Sequence, residues 1–240
     1  MGDSVRVDLD TLAATRRSLH GVAETLLAGP EHRAIGRIRL RVVPGGFSTL
    51  ELTGPVARIA VVGGNLVLHG PGDAPPRTVP LEGTYEEVAA AAGLEAGPPQ
   101  GVYPDGSGVG LDEQVHLDPG ALSTLNGAFA VGDQALRRLA AAASVAGAVA
   151  VGDDSAEAPV LWPEHFDVGV TLDEVNYGVS PGDAGIGEPY AYVGPWAPRV
   201  GGFWDRPFGS ARRLSELGDA AAVLAYFETG RARAANDPLA

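Results

Sequence analysis

The side chains best able to do chemistry gather in the last third of the chain. Over residues 165–172, Phe166, Val168, Val170 and Leu172 are apolar, while His165, Asp167, Gly169 and Thr171 are polar or small. Read as a strand, this alternation puts the imidazole of His165 and the carboxylate of Asp167 on one face, because residues i and i+2 project the same way. A two-residue turn at Asp173-Glu174 then sets Val170 opposite Tyr177, Val168 opposite Val179, Thr171 opposite Asn176 and Asp167 opposite Ser180. The loop 181–188 brings Asp183 toward the same edge. The candidate catalytic residues are therefore His165, as a general base or metal ligand, with Asp167 and Asp183 as carboxylate ligands or orienters of the imidazole. Trp162, Asn176, Ser180, Tyr190, Tyr192 and Trp196 are the candidate binding residues of a polar and aromatic cleft over 162–196. Set against this, solvated polar faces are common in antiparallel sheets, and large aromatics more often fill a core.

Other motifs are weaker. His-x-Asp also opens the facial triad of non-haem iron sites, but that arrangement takes a second His from later in the chain. Here His20, His32, His69 and His116 all precede His165, so the metal question stays open. Gly178-Val179-Ser180-Pro181-Gly182 matches the nucleophile-elbow pattern, yet an elbow needs a helix directly after the serine, and Pro181 forbids one. Gly106-Ser107-Gly108-Val109-Gly110 looks like a phosphate loop, but Asp105 precedes it and Asp112-Glu113 follow, carboxylates that repel phosphate. Arg199, Arg206, Arg212 and Arg213 could clamp an anion or pair with Asp205 and Glu216. The stripe Arg37, Arg39, Arg41 reads as a salt-bridged surface facing Glu51.

Composition removes whole classes of function. There is no cysteine in the 240 residues, which excludes disulfides, thiol nucleophiles and iron–sulfur clusters. All 17 basic residues are arginine, which excludes Schiff-base lysines and the P-loop lysine. A formal charge of −13 argues against nucleic-acid and anionic-membrane partners. The polar N-terminus is unlike a signal peptide, no apolar run reaches ~20 residues, and a cytoplasmic location is expected. No motif implies a cofactor.

Stepping along the elements that must position these groups, a helix is expected over 10–28, capped by Asp10 and stopped by Gly29-Pro30. A strand over 35–43 follows, then a three-residue loop Pro44-Gly45-Gly46 that pairs Leu40 with Leu50 and Ile38 with Leu52. Gly63-Gly64 sets Val61 against Leu66 and Ile59 against Leu68. A strand over 78–81, a helix over 85–92 opened by Thr84 and ended by Gly93, a long loop over 94–117, and a helix over 119–143 capped by Asp118-Pro119 come next. Residues 144–158 read as a connection, 189–193 as a strand, and 220–229 as a helix between Asp219 and Gly230 with a frayed tail beyond. Meanders between helices make this an α+β chain with mostly antiparallel sheet in two loosely similar halves, 1–117 and 118–240, of one integrated domain.

Leu161-Trp162-Pro163-Glu164-His165-Phe166-Asp167, then Ser180-Pro181-Gly182-Asp183, then Glu188-Pro189-Tyr190-Ala191-Tyr192-Val193 resemble a family of actinobacterial proteins with W-P-x-H-F-D, S-P-G-D and E-P-Y-x-Y segments. The resemblance implies relatives over most of the chain and carries no activity. The residues themselves point to a small-molecule-binding protein or a low-specificity enzyme, hydrolytic or metal-assisted rather than redox. The alternative is a non-enzymatic interaction or scaffold protein with the aromatic region as its core. Oligomeric state is not encoded in any motif.

Overall fold

In the computed structural model, which describes residues 7–145 and 158–240, the first helix starts two residues earlier than its sequence suggests. Asp8, not Asp10, is the cap, its carboxylate accepting the Thr11 amide at 2.9 Å. Helix α1 (Leu9–Val22) passes into a π-helical stretch, Ala23–Ala28, and then into α2 (Gly29–Ile35), ended by Gly36 at φ 68°. Gly29-Pro30 therefore does not stop the helix. The wide turn explains why: Gly29 N–H bonds the Glu24 carbonyl five residues back, so the ladder is already shifted where Pro30 has no amide to give.

Glu31, on α2, is fully buried. Its two oxygens accept the amides of Arg39 at 2.6 Å and Leu50 at 2.8 Å. Burial raises its pKa, opposed by those two amides and by the charges of Arg41 and Arg37. The arginine stripe thus serves Glu31 as well as the surface. The hairpin beyond is β1 (Arg41–Val43) and β2 (Gly46–Ser48), in which Val43 pairs with Gly46 and Val42 with Phe47. The turn is the two residues Pro44-Gly45, with Gly45 at φ 78°, so the expected three-residue loop and the Leu40–Leu50 pairing are one residue out of register. Extending this register puts Arg39 opposite Leu50, the two residues whose amides Glu31 takes. The carboxylate enters where a ladder would otherwise continue, and Leu40 instead accepts the Leu161 amide at 2.9 Å.

The other elements of this half follow their signals. β3 (Arg58–Val62) and β4 (Asn65–His69) meet with Val61 opposite Leu66 and Ile59 opposite Leu68. Gly63 and Gly64 both have positive φ, as the tight turn requires. β5 (Arg77–Pro80) pairs with β4. Helix α3 (Tyr85–Ala92) has a capping box between Thr84 and Glu87 and ends at Gly93. Asp118 caps α4 (Pro119–Val145), and Gly127 and Gly132 do not break it. Leu122, Leu125, Phe129, Leu136 and Leu139 are all buried, as the helical spacing implies.

β6 (Val160–Trp162), β7 (Asp167–Leu172), β8 (Val175–Ser180), β9 (Tyr190–Pro195) and β10 (Ser210–Arg213) complete the strands. They form two five-stranded antiparallel sheets, β1–β5 and β6–β10, each with its strands in chain order, so the fold is α+β with two similar meanders. The β7–β8 register is the one the alternation implied, Val170 opposite Tyr177 and Val168 opposite Val179. Its turn residues, Asp173 and Glu174, both adopt positive φ. After α5 (Leu214–Leu217), helix α6 (Ala220–Asn236) runs through Gly230, where a Cβ would lie 2.7 Å from Val193. Gly230 is a close-packing position, not a terminator. The tail is paired, not frayed: Val200 N–H bonds Pro238 and Ala240 N–H bonds Pro198.

The chain divides into two compact units, Met1–Gly127 with Leu161–Phe166, and Ala128–Val160 with Asp167–Ala240. The connection expected at 144–158 lies, apart from its ends, outside the described residues. Among the described residues no helix is long and apolar enough to cross a membrane.

Replacing Glu31 by Ala strands two buried amides, each costing about 1–3 kcal/mol, partly offset by loss of a desolvated carboxylate. Urea unfolding of Glu31→Ala should show a loss of about 2–4 kcal/mol, whereas a loss near zero would remove the role given to this carboxylate.

Candidate functional site

The pairing of His165 with Asp167 on one strand face does not occur. Residues 163–166 form a turn, and Phe166 has φ 51°. The cause is core packing in the first unit. The Phe166 ring is fully buried, edge-on to Phe47 at 5.6 Å and stacked on the His20 ring at 5.4 Å. His165 is left exposed in the turn, and β7 begins only at Asp167. Trp162, in the same segment, lies under the Arg39 guanidinium at 5.8 Å. Among the described residues no group of three or more His, Asp or Glu stands close enough to hold a metal ion, so His165, Asp167 and Asp183 do not form a metal centre.

In the second unit, Asp167, Ser180, Asp183, Tyr190 and Tyr192 do come together, mostly as structural hydrogen bonds. The Tyr192 hydroxyl donates to Asp167 Oδ2. Tyr190 donates to Asp183 Oδ2 at 2.5 Å, while Asp183 Oδ1 takes the amides of Gly185 and Ile186. Ser180 Oγ accepts the Gly182 amide at 3.1 Å. Burial first, and the neighbouring carboxylates second, push both phenols above their ordinary pKa, so both keep their protons and act as donors. Asn176 is a surface acceptor, for Thr171 Oγ1 at 2.8 Å and for the indole N–H of exposed Trp196 at 3.2 Å. Arg212 and Arg213 pair with Asp205 and with Glu188 and Glu216.

Beside this network is a cleft of about 550 Å³ in the second unit. Leu139 and Ala142 of α4, Val175 and Tyr177 of β8, and Ala232 and Ala235 of α6 are among its walls, with Arg199, Glu228, and the Arg231–Asp173 pair, 3.2 Å apart, at its polar side. Tyr177 is fully buried, its ring edge-on to Phe227 at 5.9 Å. Its hydroxyl has no hydrogen-bond partner, and burial raises its pKa. Arg199 Nε is likewise shielded and unpartnered. The apolar alternation of β8 marks Tyr177 as a core residue; nothing in the sequence shows that its hydroxyl is left over.

A second polar cluster, unforeseen from the sequence, surrounds Glu24 in the π-helical stretch. Glu24 is only 4% exposed. Its Oε2 accepts the Ser107 amide at 2.7 Å, and a Cβ on Gly106 would overlap the carboxylate. The glycine-rich loop does cradle an anion, but the anion is the protein's own side chain. His20 Nε2 stands 4.0 Å from Oε2 and donates to the Pro163 carbonyl at 2.7 Å. Burial lowers the His20 pKa, against the pull of Glu24 and the Pro163 bond, with the charges of His165 and Arg16 lowering it further.

A histidine whose folded pKa is depressed takes up its proton more readily when unfolded. Stability therefore falls as pH drops below the ordinary value of about 6.5, by up to about 1.4 kcal/mol per pH unit until the folded site titrates. His20→Gln keeps the N–H donor and cannot titrate. Melting curves at pH 7.5 and 5.5 should show a smaller acid loss in the variant than in the parent, and equal losses would exclude His20 as the source. Compared with family models, curated proteins and solved structures, the chain matches none of them.

Proposed function

We propose that the protein binds a small organic molecule with an apolar body and an anionic or strongly accepting head in the cleft of the second unit. The observation that carries this reading is the Tyr177 hydroxyl, a buried donor without an acceptor, at a concave surface it shares with Arg199. Buried polar groups are nearly always satisfied, and an orphan calls for an explanation. Two unpartnered donors in one cleft ask for an acceptor, and a carboxylate meets both. The volume lies within the range of small-molecule sites, and the wall is apolar with few polar groups, as such sites are. Arg231 is held by Asp173, which leaves Arg199 as the cation for the ligand. A cytoplasmic setting without a nucleic-acid partner fits the acidic, cysteine-free composition.

The test uses octanoate and phenylacetate as probes, with octanol and phenylethanol as neutral counterparts. A carboxylate at 100 times its dissociation constant should stabilise the protein by about 2.7 kcal/mol, seen as a rise in melting temperature. Tyr177→Phe should fold as well as the parent, since it removes only an unsatisfied hydroxyl, and should bind less tightly. Arg199→Ala should weaken binding at least tenfold. If neither acid moves the melt, or the alcohols do so equally, the binding reading fails and the scaffold reading, with the aromatics as core, takes its place.

A further inference from the structure

The first unit has a separate cavity of about 240 Å³ over the π-helical stretch, roofed by the Pro- and Gly-rich loop 98–109. Glu24, Gln100, Tyr103, Asp105 and Ser107 supply its polar lining, and no arginine or histidine lines it. The Glu24 carboxylate at its floor receives one hydrogen bond, from the Ser107 amide. His20 does not neutralise it: burial holds that ring below its ordinary pKa, and its Nε2 proton is committed to the Pro163 carbonyl. The Tyr103 hydroxyl is shielded and has no partner in hydrogen-bond geometry. Burial, then the charges of Glu24 and Glu164, hold its proton on. Both carboxylates at the cavity, and Glu164 nearby, are negative, and a buried carboxylate without a cation is costly.

We infer that this cavity is a binding site for a small organic ammonium ion, a primary amine of a few carbon atoms. The ammonium has three donors and no acceptor, and Glu24 and the Tyr103 oxygen are the acceptors that await it. Gly106 is glycine because a side chain there would occupy the carboxylate's surroundings. An inorganic divalent ion is a poorer fit, since no group of three carboxylate or imidazole ligands exists among the described residues.

Calorimetric titration with ethanolamine and 1,4-diaminobutane tests the inference, with 1,4-butanediol, calcium chloride and magnesium chloride as controls. Saturable binding of at least one amine is expected, with none of the diol. Glu24→Gln retains an acceptor for the Ser107 amide and should keep the parent's fold, while weakening the amine by at least about tenfold, the loss of a charge-assisted bond. Should Glu24→Gln fail to fold, Tyr103→Phe gives the second reading, with a several-fold loss expected. Tyr177→Phe, in the other unit, should leave amine binding unchanged, which separates this site from the cleft proposed above. The inference is overturned if neither amine binds, if the diol or a divalent ion binds as well as the amine, or if the variants at positions 24 and 103 bind the amine as the parent does.

Discussion

The first unit depends on acceptors buried along its first helix. Thr15 Oγ1 takes the Asp118 amide, Ser18 Oγ takes the His116 amide, Glu24 takes the Ser107 amide, the Thr25 carbonyl takes the Gly97 amide, and Glu31 takes those of Arg39 and Leu50. Every one of these donors lies in a segment with little secondary structure of its own. Such backbone groups cannot be buried without partners, and here the partners come from side chains and one carbonyl of the helix. The π-helical stretch belongs to the same arrangement, because it carries the chain past Pro30 and lets Glu24 and Glu31 both turn inward. Arg17 adds an exposed contact of the same kind, 2.6 Å from Glu113, whose pKa it lowers to about 2 together with the Gly110 amide.

The second unit solves the same problem with phenols. Tyr190, Tyr192 and Tyr226 each donate to a carboxylate or hydroxyl, and burial raises all three, Tyr226 to about 12. Because those hydroxyls are spoken for, the Tyr177 hydroxyl stands apart. Four buried tyrosines share one chemistry, and only one of them lacks an acceptor. That contrast, rather than the aromatic content of the region, separates a binding surface from a core.

Local signals in the sequence proved reliable where they specify backbone geometry over a few residues. Gly63-Gly64, Thr84 with Glu87, Asp118-Pro119 and the Asp173-Glu174 hairpin each form the element their chemistry requires. The failures share a different cause, since each was settled by a contact distant in sequence. Pro30 is tolerated because of a π turn, Gly230 because Val193 packs on it, and the β1–β2 register because Glu31 takes the next pair of amides. His165 is displaced from its strand by the burial of Phe166 against Phe47 and His20. Among the site residues, alternation foresaw the gathering of Asp167, Ser180, Asp183, Tyr190 and Tyr192, but could not distinguish satisfied groups from orphaned ones. The Glu24 cluster left no trace, because a lone glutamate on an amphipathic helix reads as solvated whichever way it points.

The attachment of the 94–117 segment bears on how such a protein can change over evolution. It is fastened at separate points to a rigid rod, not through a ladder of strand pairs that a length change would shift. Residues could be gained or lost between two fastenings, for instance between Gly97 and Ser107, without moving either one. That stretch also roofs the smaller cavity, so related chains can reshape what it admits while the helix beneath stays as it is.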